Sequence, residues 1–397
     1  MARNDIIAAP IPLRRERASD AVPRRAVAEA EWQPLSALGA LVPEWRDLVA
    51  GALEPNVFYD PAFALAAAPV FGAHAGAVLV RRKGRLIGLF PGRVERRYGV
   101  MTTLTGWTHP YAPLGVPLVD RAEADAAIGA FLDSVETQGP RLVLLPMLTQ
   151  DGPFAAALGR VLARRGGMTA AFGNHARAML APAQDRAAYL DHALAHKKLK
   201  ELRRQRRRLA ETGPVVLATA QEPAAVTAAL GDFLALEASG WKGRAGTASA
   251  DRAPIRAFME RAVTGLAAEG HARVDRLMHD GRALAATITL RSGNAAWFWK
   301  IAYDEAFARA SPGVQISLDL TDALLADAGI TRADSCATAG HPMIDHLWRE
   351  RLALGDLLIA PGRDALPAFR AACQLEAMRR AAFATAKRAR DAIRGGA

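Results

Sequence analysis

The chain has 397 residues, a formal net charge of +11 and two cysteines. This length suggests two domains, and a hydrophobic fraction of 51% is ample for packed cores and excludes a globally disordered chain. Two cysteines cannot form a disulfide framework, so a reducing cytoplasm is the expected location. No stretch approaches ~20 consecutive apolar residues, which argues against a membrane-spanning helix.

The positive charge is unevenly distributed along the chain. Residues 185–212 and 363–397 carry a net charge of +5 each, and residues 1–30 contain six arginines but no apolar run of signal-peptide length. The remaining folded body is therefore close to neutral. Such basic appendages indicate a nearby anionic surface, such as lipid headgroups, nucleic acid or an acidic polymer. The alternative is arginine used on solvated surfaces.

The N-terminal part of the chain predicts an α/β domain. Residues 1–30 are expected to form a flexible basic tail, and residues 31–184 form the first globular unit. Helices alternate with strands after a β-meander, which is typical of a mixed sheet. The predicted helices are 35–50, 61–68, 121–137 and 152–165, and the predicted strands are 75–82, 85–94, 102–106, 116–119 and 142–145.

A basic helix is predicted to link this unit to the next. Residues 185–212 have a helical pattern, and eight of the twelve residues 197–208 are Lys or Arg. One interpretation is a helix that packs through a narrow stripe of leucines and turns its cationic face towards a membrane or an acidic polymer. The other is contact with RNA, which the lack of interleaved aromatic residues makes the weaker interpretation. The leucines of the stripe are Leu190, Leu194, Leu199, Leu202 and Leu209.

The sequence pattern of residues 213–362 predicts a second α/β unit, and that of residues 363–397 predicts a basic C-terminal helix. The second unit contains an antiparallel meander with turns at Asp280-Gly281 and at 292–294. Its predicted strands are 215–219, 274–279, 283–291, 295–302, 332–336 and 354–359. One predicted helix ends at residue 239, another begins at residue 312, and two more span 255–269 and 343–351.

The most informative segment is 297–319, WFWKIAYDEAFARASPGVQISLD. It predicts a buried strand, a short loop ending at Ser311-Pro312-Gly313, and a helix. The first amides of a helix lack internal partners, so this loop suits a phosphate-bearing ligand. Ser311 is expected to be the N-cap, Pro312 suits the first turn, and Gly313 leaves room for a ligand beside the backbone. The alternative is an ordinary strand–helix connection.

This strand–loop–helix resembles the acyl-CoA pyrophosphate site of the GNAT acetyltransferase superfamily. Its surroundings resemble the BioF-like or CelD-type acetyltransferase domain of bacterial polysaccharide-biosynthesis proteins, which is distantly related to the Fem aminoacyl transferases. The resemblance covers about residues 31–360. The segments that carry it are 196–204 (HKKLKELRR), 236–243 (LEASGWKG), 298–304 (FWKIAYD), 334–337 (DSCA) and 343–349 (MIDHLWR).

The resemblance implies two GNAT-like lobes, each a mixed, mostly antiparallel sheet flanked by helices. It also implies acetyl-CoA or another acyl-CoA as co-substrate, held between the splayed parallel strands 297–302 and 332–336. A backbone N–H near Ile301 would stabilise the oxyanion. The residues expected to bind the acyl-CoA are Lys300, Ile301, Ala302, Arg309, Ser311, Gly313 and Val314.

The residues near the strand ends that are candidates for the general base are Asp304, Glu305, Asp334 and His341. The resemblance implies that Tyr303 would protonate the departing thiolate. The alternatives are a structural carboxylate at Asp334, a loop residue at His341 and a packing role for Tyr303. Cys336 is expected to be a buried small residue rather than a nucleophile.

The glycine-punctuated segment 240–246 predicts an adaptable surface loop beside the acceptor site. There Trp241 would form an apolar or sugar-stacking wall and Lys242 would hold an anion. The alternative is a tryptophan that anchors the loop to the core. The nine histidines show no metal-ligand spacing, so no metal is predicted.

These features together predict a cytoplasmic N-acyltransferase, with peripheral association at the inner membrane face as a further option. The donor is expected to be an acyl-CoA, and the acceptor an amine on a sugar, a polysaccharide precursor or a lipid-linked intermediate. One alternative is Fem-like aminoacyl transfer from aminoacyl-tRNA. The other is a non-catalytic partner of an envelope polysaccharide machine. Residues 197–208 are the predicted contact with an anionic membrane or an acidic polymer, and nucleic acid is disfavoured.

Overall fold

The structure, a computed structural model, describes residues 28–97, 101–182 and 186–395. Most of the tail predicted for residues 1–30 lies outside the described residues, and the first strand already begins at Glu29. The described residues form a mixed sheet of 13 strands flanked by helices. This architecture confirms the predicted α/β fold class.

The strands of the sheet come from both parts of the chain. The N-terminal strands are β1 Glu29–Pro34, β2 Gly76–Arg82, β3 Arg85–Arg97, β4 Met101–Gly106, β5 Leu118–Val119, β6 Leu142–Thr149 and β7 Met168–Leu180. The C-terminal strands are β8 Val215–Ala220, β9 Ala272–His279, β10 Arg282–Ser292, β11 Ala295–Tyr303, β12 Arg332–Asp334 and β13 Glu350–Ala360.

The helices cover the faces of the sheet. The N-terminal helices and the linker helices are α1 Val42–Gly51, α2 Pro61–Phe71, α3 Ala124–Gln138, α4 Pro153–Arg165, α5 Arg186–Ala193 and α6 His196–Ala210. The remaining helices are α7 Pro223–Ser239, α8 Trp241–Arg244, α9 Ala253–Ala268, α10 Pro312–Ala326, α11 Ile344–Leu347 and α12 Leu366–Gly395.

The strand order is β1-β2-β3-β4-β6-β13-β7-β12-β11-β10-β9-β8, with β5 paired to β3. Two neighbouring pairs are parallel, β4 with β6 and β11 with β12, and the other pairs are antiparallel. The β2–β3 and β9–β10 hairpins turn at the predicted positions, where consecutive residues have positive φ: Lys83 and Gly84, and Asp280 and Gly281. Such turns match the right-handed twist of the strands they join.

The two halves of the sheet exchange their last strands. The C-terminal strand β13 lies between β6 and β7, and the N-terminal strand β7 lies between β13 and β12. Strand β13 is thus the last strand of the half formed by β1 to β6. Strand β7 is the last strand of the half formed by β8 to β12. This exchange makes the sheet continuous across both halves, which the division into residues 31–184 and 213–362 did not anticipate.

Three segments differ from the predictions. The helix predicted for 185–212 is two helices in the described residues, α5 and α6. The helix predicted for 343–351 is only the single turn α11, because Glu350 and Arg351 already pair with β7. Strand β7 was not predicted because its sequence, MTAAFGNHARAML, lacks alternation of apolar and polar residues. Pairing with distant strands, rather than local propensity, makes strands of residues 350–351 and of β7.

Helices α2 and α9 pack against each other and join the two halves. Asp60 begins α2 by accepting a hydrogen bond from the amide of Ala62 at 2.8 Å. Phe63 of α2 contacts Phe258 of α9 and Trp299 of β11 with ring centroids 5.4 and 5.6 Å apart. These aromatic contacts carry the core from one half to the other.

Within the described part of the chain, no helix combines the length and the apolar character required to cross a membrane.

Candidate functional site

The site begins where the parallel strands β11 and β12 separate. They pair over three positions, the last being Trp297 opposite Asp334. After that, the amide of Ser335 donates to the carbonyl of Ala178 in β7 at 3.2 Å, so the chain turns away from β11. The edge of β11 from Phe298 onward is therefore not paired with β12. Such a strand edge can pair with an extended ligand.

A cavity of about 180 Å³ occupies this gap. It brings together four of the predicted site residues: Lys242, Lys300, Ile301 and His341. Its other walls are Phe298, Trp299, Ser335, Cys336, Ala337, Met343 and Ile344. The cavity thus combines an apolar lining with two lysines, as expected of a small-molecule site.

Lys300 has the most unusual environment in this cavity. Its Nζ lies 4.0 Å from the centroid of the Tyr111 ring and 5.7 Å from that of Trp299. Burial, and then the positive charge of Lys242, lower the pKa of Lys300 to about 8. The indole of Trp299 donates to the carbonyl of Tyr111 at 2.8 Å and so fixes the tyrosine above the lysine. A lysine in this environment can exchange protons near physiological pH.

Lys242 is held by a buried carboxylate. Its Nζ lies 2.6 Å from Oε1 of Glu237, whose Oε2 accepts a hydrogen bond from the amide of Ser249 at 2.8 Å. Burial alone would raise the pKa of Glu237, but the hydrogen bonds from Lys242 and Ser249 outweigh it and lower that pKa. The hydroxyls of Ser249 and Tyr111 lie 3.3 Å apart. A continuous polar chain therefore connects Lys242 to the tyrosine that covers Lys300.

Asp334 is fully engaged by neighbouring groups. Its Oδ2 pairs with the buried guanidinium of Arg177 in β7, and its Oδ1 accepts the amide of Cys336 at 2.9 Å. Because each oxygen holds a partner within the protein, Asp334 ties β12 to β7. Cys336 has a positive φ of 53°, and burial raises the pKa of its thiol well above the ordinary value. A thiol that resists ionisation is a poor nucleophile.

His341 lies at the start of α11. Its Nδ1 is 3.3 and 3.4 Å from the amides of Met343 and Ile344, which donate to it. An imidazole that accepts at Nδ1 carries its proton on Nε2. His341 thus combines a capping contact with a position on the cavity wall.

The predicted phosphate loop is more filled than expected. Ser311 is the N-cap of α10 in a left-handed conformation, but its side chain makes no capping hydrogen bond. The amides of Val314 and Gln315 both donate to its carbonyl at 3.0 Å, and Pro312 has no N–H. A Cβ at Gly313 would lie 2.9 Å from Cδ1 of Tyr303, so the tyrosine ring takes the space predicted for a ligand.

Tyr303 and Trp241 lie at the surface beside the cavity. Tyr303 is 40% exposed and Trp241 is 59% exposed, so this tryptophan does not anchor its loop in the core. The amide of Trp241 donates instead to Oε1 of Glu305 at 2.8 Å. Ala302 is buried on β11, and Arg309 is exposed before α10. Both tyrosine and tryptophan border a small recess of about 40 Å³ that also includes Glu237 and Lys242.

Four residues of this arrangement were missed as site candidates: Tyr111, Arg177, Glu237 and Ser249. Tyr111 and Arg177 belong to the N-terminal half, and only the strand exchange and the packing of the halves bring them to the site. Glu237 lies within the matched segment 236–243, where its proximity to Lys242 in sequence was an available signal. No pattern in a single sequence indicates the other three.

Helix α6 presents a cationic face to solvent. Leu199, Leu202 and Leu209 are buried, as the leucine stripe predicted. Two of the predicted cations are paired: Arg206 lies 2.8 Å from Asp319 of α10, and Arg204 lies 2.7 Å from Glu201. An open groove of about 750 Å³ follows the helix. The exposed cations outside these two pairs are Lys197, Lys198, Lys200, Arg203, Arg207 and Arg208.

Comparison with known proteins agrees with this geometry. Residues 196–341 match the family model described as acetyltransferase (GNAT) domain. Among curated proteins, no sequence matches the chain significantly.

Among solved structures, FemX superposes with a TM-score of 0.56 at 11% identity, covering 80% of this chain and 95% of FemX. The C-terminal domain (DUF2156) of a putative lysylphosphatidylglycerol synthetase from Agrobacterium fabrum gives 0.50 at 13%, covering 84% and 95%. A conserved protein of unknown function from Bacteroides thetaiotaomicron gives 0.50 at 11%, covering 80% and 96%. At these identities the likeness shows the fold alone. The chain thus contains a GNAT acetyltransferase domain over residues 196–341.

Proposed function

We propose that the protein transfers an acyl group from an acyl-CoA to an amine. Acetyl-CoA is the first donor to test, and the acceptor amine belongs to a sugar, a polysaccharide precursor or a lipid-linked intermediate. The observation that carries this proposal is the cavity between the diverging ends of β11 and β12, with its two lysines. The unpaired edge of β11 offers backbone groups to the pantetheine arm, and the cavity holds the thioester beside the amine.

The reaction needs a neutral amine, a stabilised oxyanion and a protonated leaving group. The amine nitrogen attacks the thioester carbonyl, the carbon–sulfur bond breaks, and the CoA thiolate leaves and takes up a proton. In our proposal Lys300, with its pKa near 8, removes the proton of the acceptor ammonium. The amide near Ile301 and the Lys242 ammonium stabilise the negative charge on the carbonyl oxygen.

The other predicted catalytic residues rank below Lys300 in this proposal. His341 is the alternative base, because it also lines the cavity, and to accept a proton at Nδ1 it must release the amides of Met343 and Ile344. Tyr303 keeps its proposed role as proton donor to the thiolate only if its ring leaves Gly313. Asp334 acts by holding β12 through Arg177.

The donor proposal is tested by calorimetry with CoA and acetyl-CoA. We propose that Arg309, Ser311, Gly313 and Val314 receive the pyrophosphate after Tyr303 moves. Arg309→Glu should weaken binding by at least about tenfold, because it replaces an exposed cation with an anion beside the phosphates. Arg370→Glu, an equally exposed change on α12, should leave binding unchanged. No CoA binding at millimolar concentration would refute the acyl-CoA proposal.

A second candidate function rests on the cationic face of α6. Fem-like transfer from aminoacyl-tRNA would use this face to hold RNA, whereas a membrane or an acidic polymer needs only the charge. We propose the latter contact, because no Phe, Tyr or Trp side chain lines the groove along the described α6. If the protein binds a membrane or an acidic polymer but transfers no acyl group, it is a non-catalytic partner of an envelope polysaccharide machine.

The ion pairs of α6 supply a matched control for this surface. Arg203→Gln with Arg207→Gln should weaken low-salt binding to anionic liposomes more than Arg204→Gln with Arg206→Gln, because the latter cations are already paired. Productive use of aminoacyl-tRNA in place of acyl-CoA would establish the Fem-like alternative. Equal effects of the two double variants would contradict the proposed surface.

A further inference from the structure

A cluster of ionisable side chains lies away from the cavity, where the two halves meet. Asp60 caps α2 in the N-terminal half, and Glu269 and His271 lie between α9 and β9 in the C-terminal half. One ligand atom from each residue lies within 4.8 Å of the others. Asp60 is distant in sequence from Glu269 and His271, and the packing of α2 on α9 brings it beside them.

Each carboxylate has one oxygen occupied and one directed at the cluster. Oδ1 of Asp60 accepts the Ala62 amide at 2.8 Å, and Oε1 of Glu269 accepts Nε of Arg46 at 2.9 Å. Asp60 is only 1% exposed, and its Oδ2 is buried without a hydrogen-bond partner, as is Nδ1 of His271. Leaving buried polar atoms unpaired is unfavourable. A ligand shared by these two atoms would therefore stabilise them.

The distances decide between a hydrogen bond and a shared ion. Nδ1 of His271 lies 3.6 Å from Oδ2 of Asp60 and 3.9 Å from Oε2 of Glu269. Both distances exceed the upper limit of about 3.2 Å for a good N–H···O bond. Two ligands of a tetrahedral zinc ion, each about 2.1 Å from the metal, are about 3.4 Å apart. The two distances from Nδ1 of His271 differ from that spacing by a few tenths of an ångström.

We propose that Asp60, Glu269 and His271 bind a divalent transition-metal ion, with Zn²⁺ as the best match and water as the fourth ligand. An imidazole nitrogen with two carboxylates suits zinc, whereas Mg²⁺ prefers six oxygens. The bonds from Ala62 and Arg46 orient the ligand oxygens, as outer hydrogen bonds do in metal sites. The guanidinium of Arg46 places a positive charge near the cluster. It must keep its hydrogen bond to Oε1 of Glu269 for the ion to bind.

The ion would tie α2 to the start of β9. Phe63 of α2 contacts Phe258 of α9, and Phe258 in turn contacts Tyr111, which covers Lys300. A cross-link at Asp60 and His271 therefore strengthens the interface that carries Tyr111 to the cavity. The site needs no acyl-CoA, so its test is independent of the proposed reaction.

The test is a Zn²⁺ titration of the chelator-treated full-length protein by calorimetry, with Mg²⁺ in a parallel titration. Wild type should bind one Zn²⁺ and show a higher thermal unfolding temperature with the ion. Asp60→Asn, which keeps the oxygen that caps α2, and His271→Gln should each weaken binding by more than about tenfold and abolish the thermal shift. His192→Gln, at an exposed histidine of α5, should bind like wild type.

Three results would overturn the proposal. The first is wild type binding no more Zn²⁺ than the two cluster variants. The second is a thermal unfolding temperature that falls in Asp60→Asn without metal while Zn²⁺ shifts no protein, because that result describes a direct contact between Asp60 and His271 without an ion. Loss of binding in His192→Gln equal to that in the cluster variants would likewise place the metal elsewhere.

Discussion

Among the described residues, the sheet contains two parallel strand pairs that diverge in the same way, and a loop of the chain lies in the gap beside one of them. In the N-terminal half, β4 and β6 pair from Thr103 opposite Leu142 to Thr105 opposite Leu144 and then diverge. In the C-terminal half, β11 and β12 do the same after Trp297. Equivalent backbone geometry therefore occurs twice in one chain.

The chain itself fills the N-terminal gap. The amide of Gly115 donates to the carbonyl of Met147 at 3.1 Å, and a Cβ on Gly115 would lie 2.0 Å from the carbonyl oxygen of Pro146. Nδ2 of Asn56 holds the same loop by donating to the carbonyls of Leu114 and Val116 at 3.2 and 2.9 Å. The C-terminal gap instead contains the lysine-lined cavity. The comparison teaches that side chains and loops, rather than the strand arrangement, decide which gap can bind.

The largest expected effect concerns the chemistry of the open gap. Lys300→Met should lower kcat for acyl transfer by about 10²–10⁴-fold, because a positioned base contributes that much. Lys300→Arg should be equally impaired, since arginine remains protonated and cannot accept a proton. In wild type, kcat/KM should rise with pH through about 8, the pKa of Lys300, and level above it. Steady-state kinetics across pH with acetyl-CoA and an amine panel measure these quantities.

Two controls make this prediction specific. Lys198→Met changes an exposed lysine of α6 and should leave kcat unchanged. If Lys300→Arg restores activity, Lys300 supplies only positive charge, and the assignment of the base passes to His341.

The next effect concerns the strand exchange that builds the open gap. Arg177→Met removes the partner of Asp334 and leaves a buried carboxylate unpaired, so it should destabilise the protein by about 3–5 kcal/mol. Arg164→Met, at a largely exposed ion pair with Asp125, should cost no more than about 1 kcal/mol. Urea unfolding of both variants provides the comparison. A loss below about 1 kcal/mol for Arg177→Met would show that β7 does not depend on this pair.

A smaller effect is expected in the closed gap. Gly115→Ala should destabilise the protein by about 1–3 kcal/mol, because the added methyl group meets the backbone of Pro146. Gly129→Ala is the matched control: it lies inside α3 with no atom near the added Cβ, and it should stabilise by up to about 1 kcal/mol. Denaturant unfolding measures both changes. If Gly115→Ala is neutral, the N-terminal gap is loosely filled and the contrast between the gaps weakens.

The sequence predicted the elements with strong local signals and missed those fixed by distant contacts. The hairpin turns at Lys83-Gly84 and Asp280-Gly281, the helix after Ser311-Pro312-Gly313 and the separation of β11 from β12 follow from turn residues, periodicity and family resemblance. Strand β7 and the start of β13 have no local pattern, because each is defined by pairing with the other. The same limit applies to the site: Lys242 and Lys300 lie in the matched segments, whereas Tyr111 and Arg177 arrive from the other half.

The resemblance also could not show which atoms would already be engaged. Asp334 is an acid on the predicted strand, yet Arg177 and the amide of Cys336 occupy both its oxygens. Gly313 suits a phosphate loop, yet Tyr303 fills the space beside it. Contacts of this kind depend on side-chain packing between elements, which a one-dimensional pattern does not contain.

The smallest expected effect is on stability, and it tests the environment of Lys300 without any substrate. Burial lowers the pKa of Lys300 from 10.5 to about 8 in the folded protein. Between pH 8 and 10.5 the unfolded chain therefore binds more protons than the folded protein, so raising the pH favours folding.

The free energy of unfolding of wild type should rise relative to Lys300→Met across this window. The difference should be constant below pH 8, where the lysine is charged in both states. Urea unfolding of wild type and Lys300→Met at pH 7 and 9.5 measures this difference. The contacts with Tyr111 that the substitution removes contribute at both pH values, so they cancel. Lys198→Met is the reference for the loss of a lysine. A difference that does not change with pH would mean that Lys300 is as hydrated as a surface lysine, and the open gap would then lack its base.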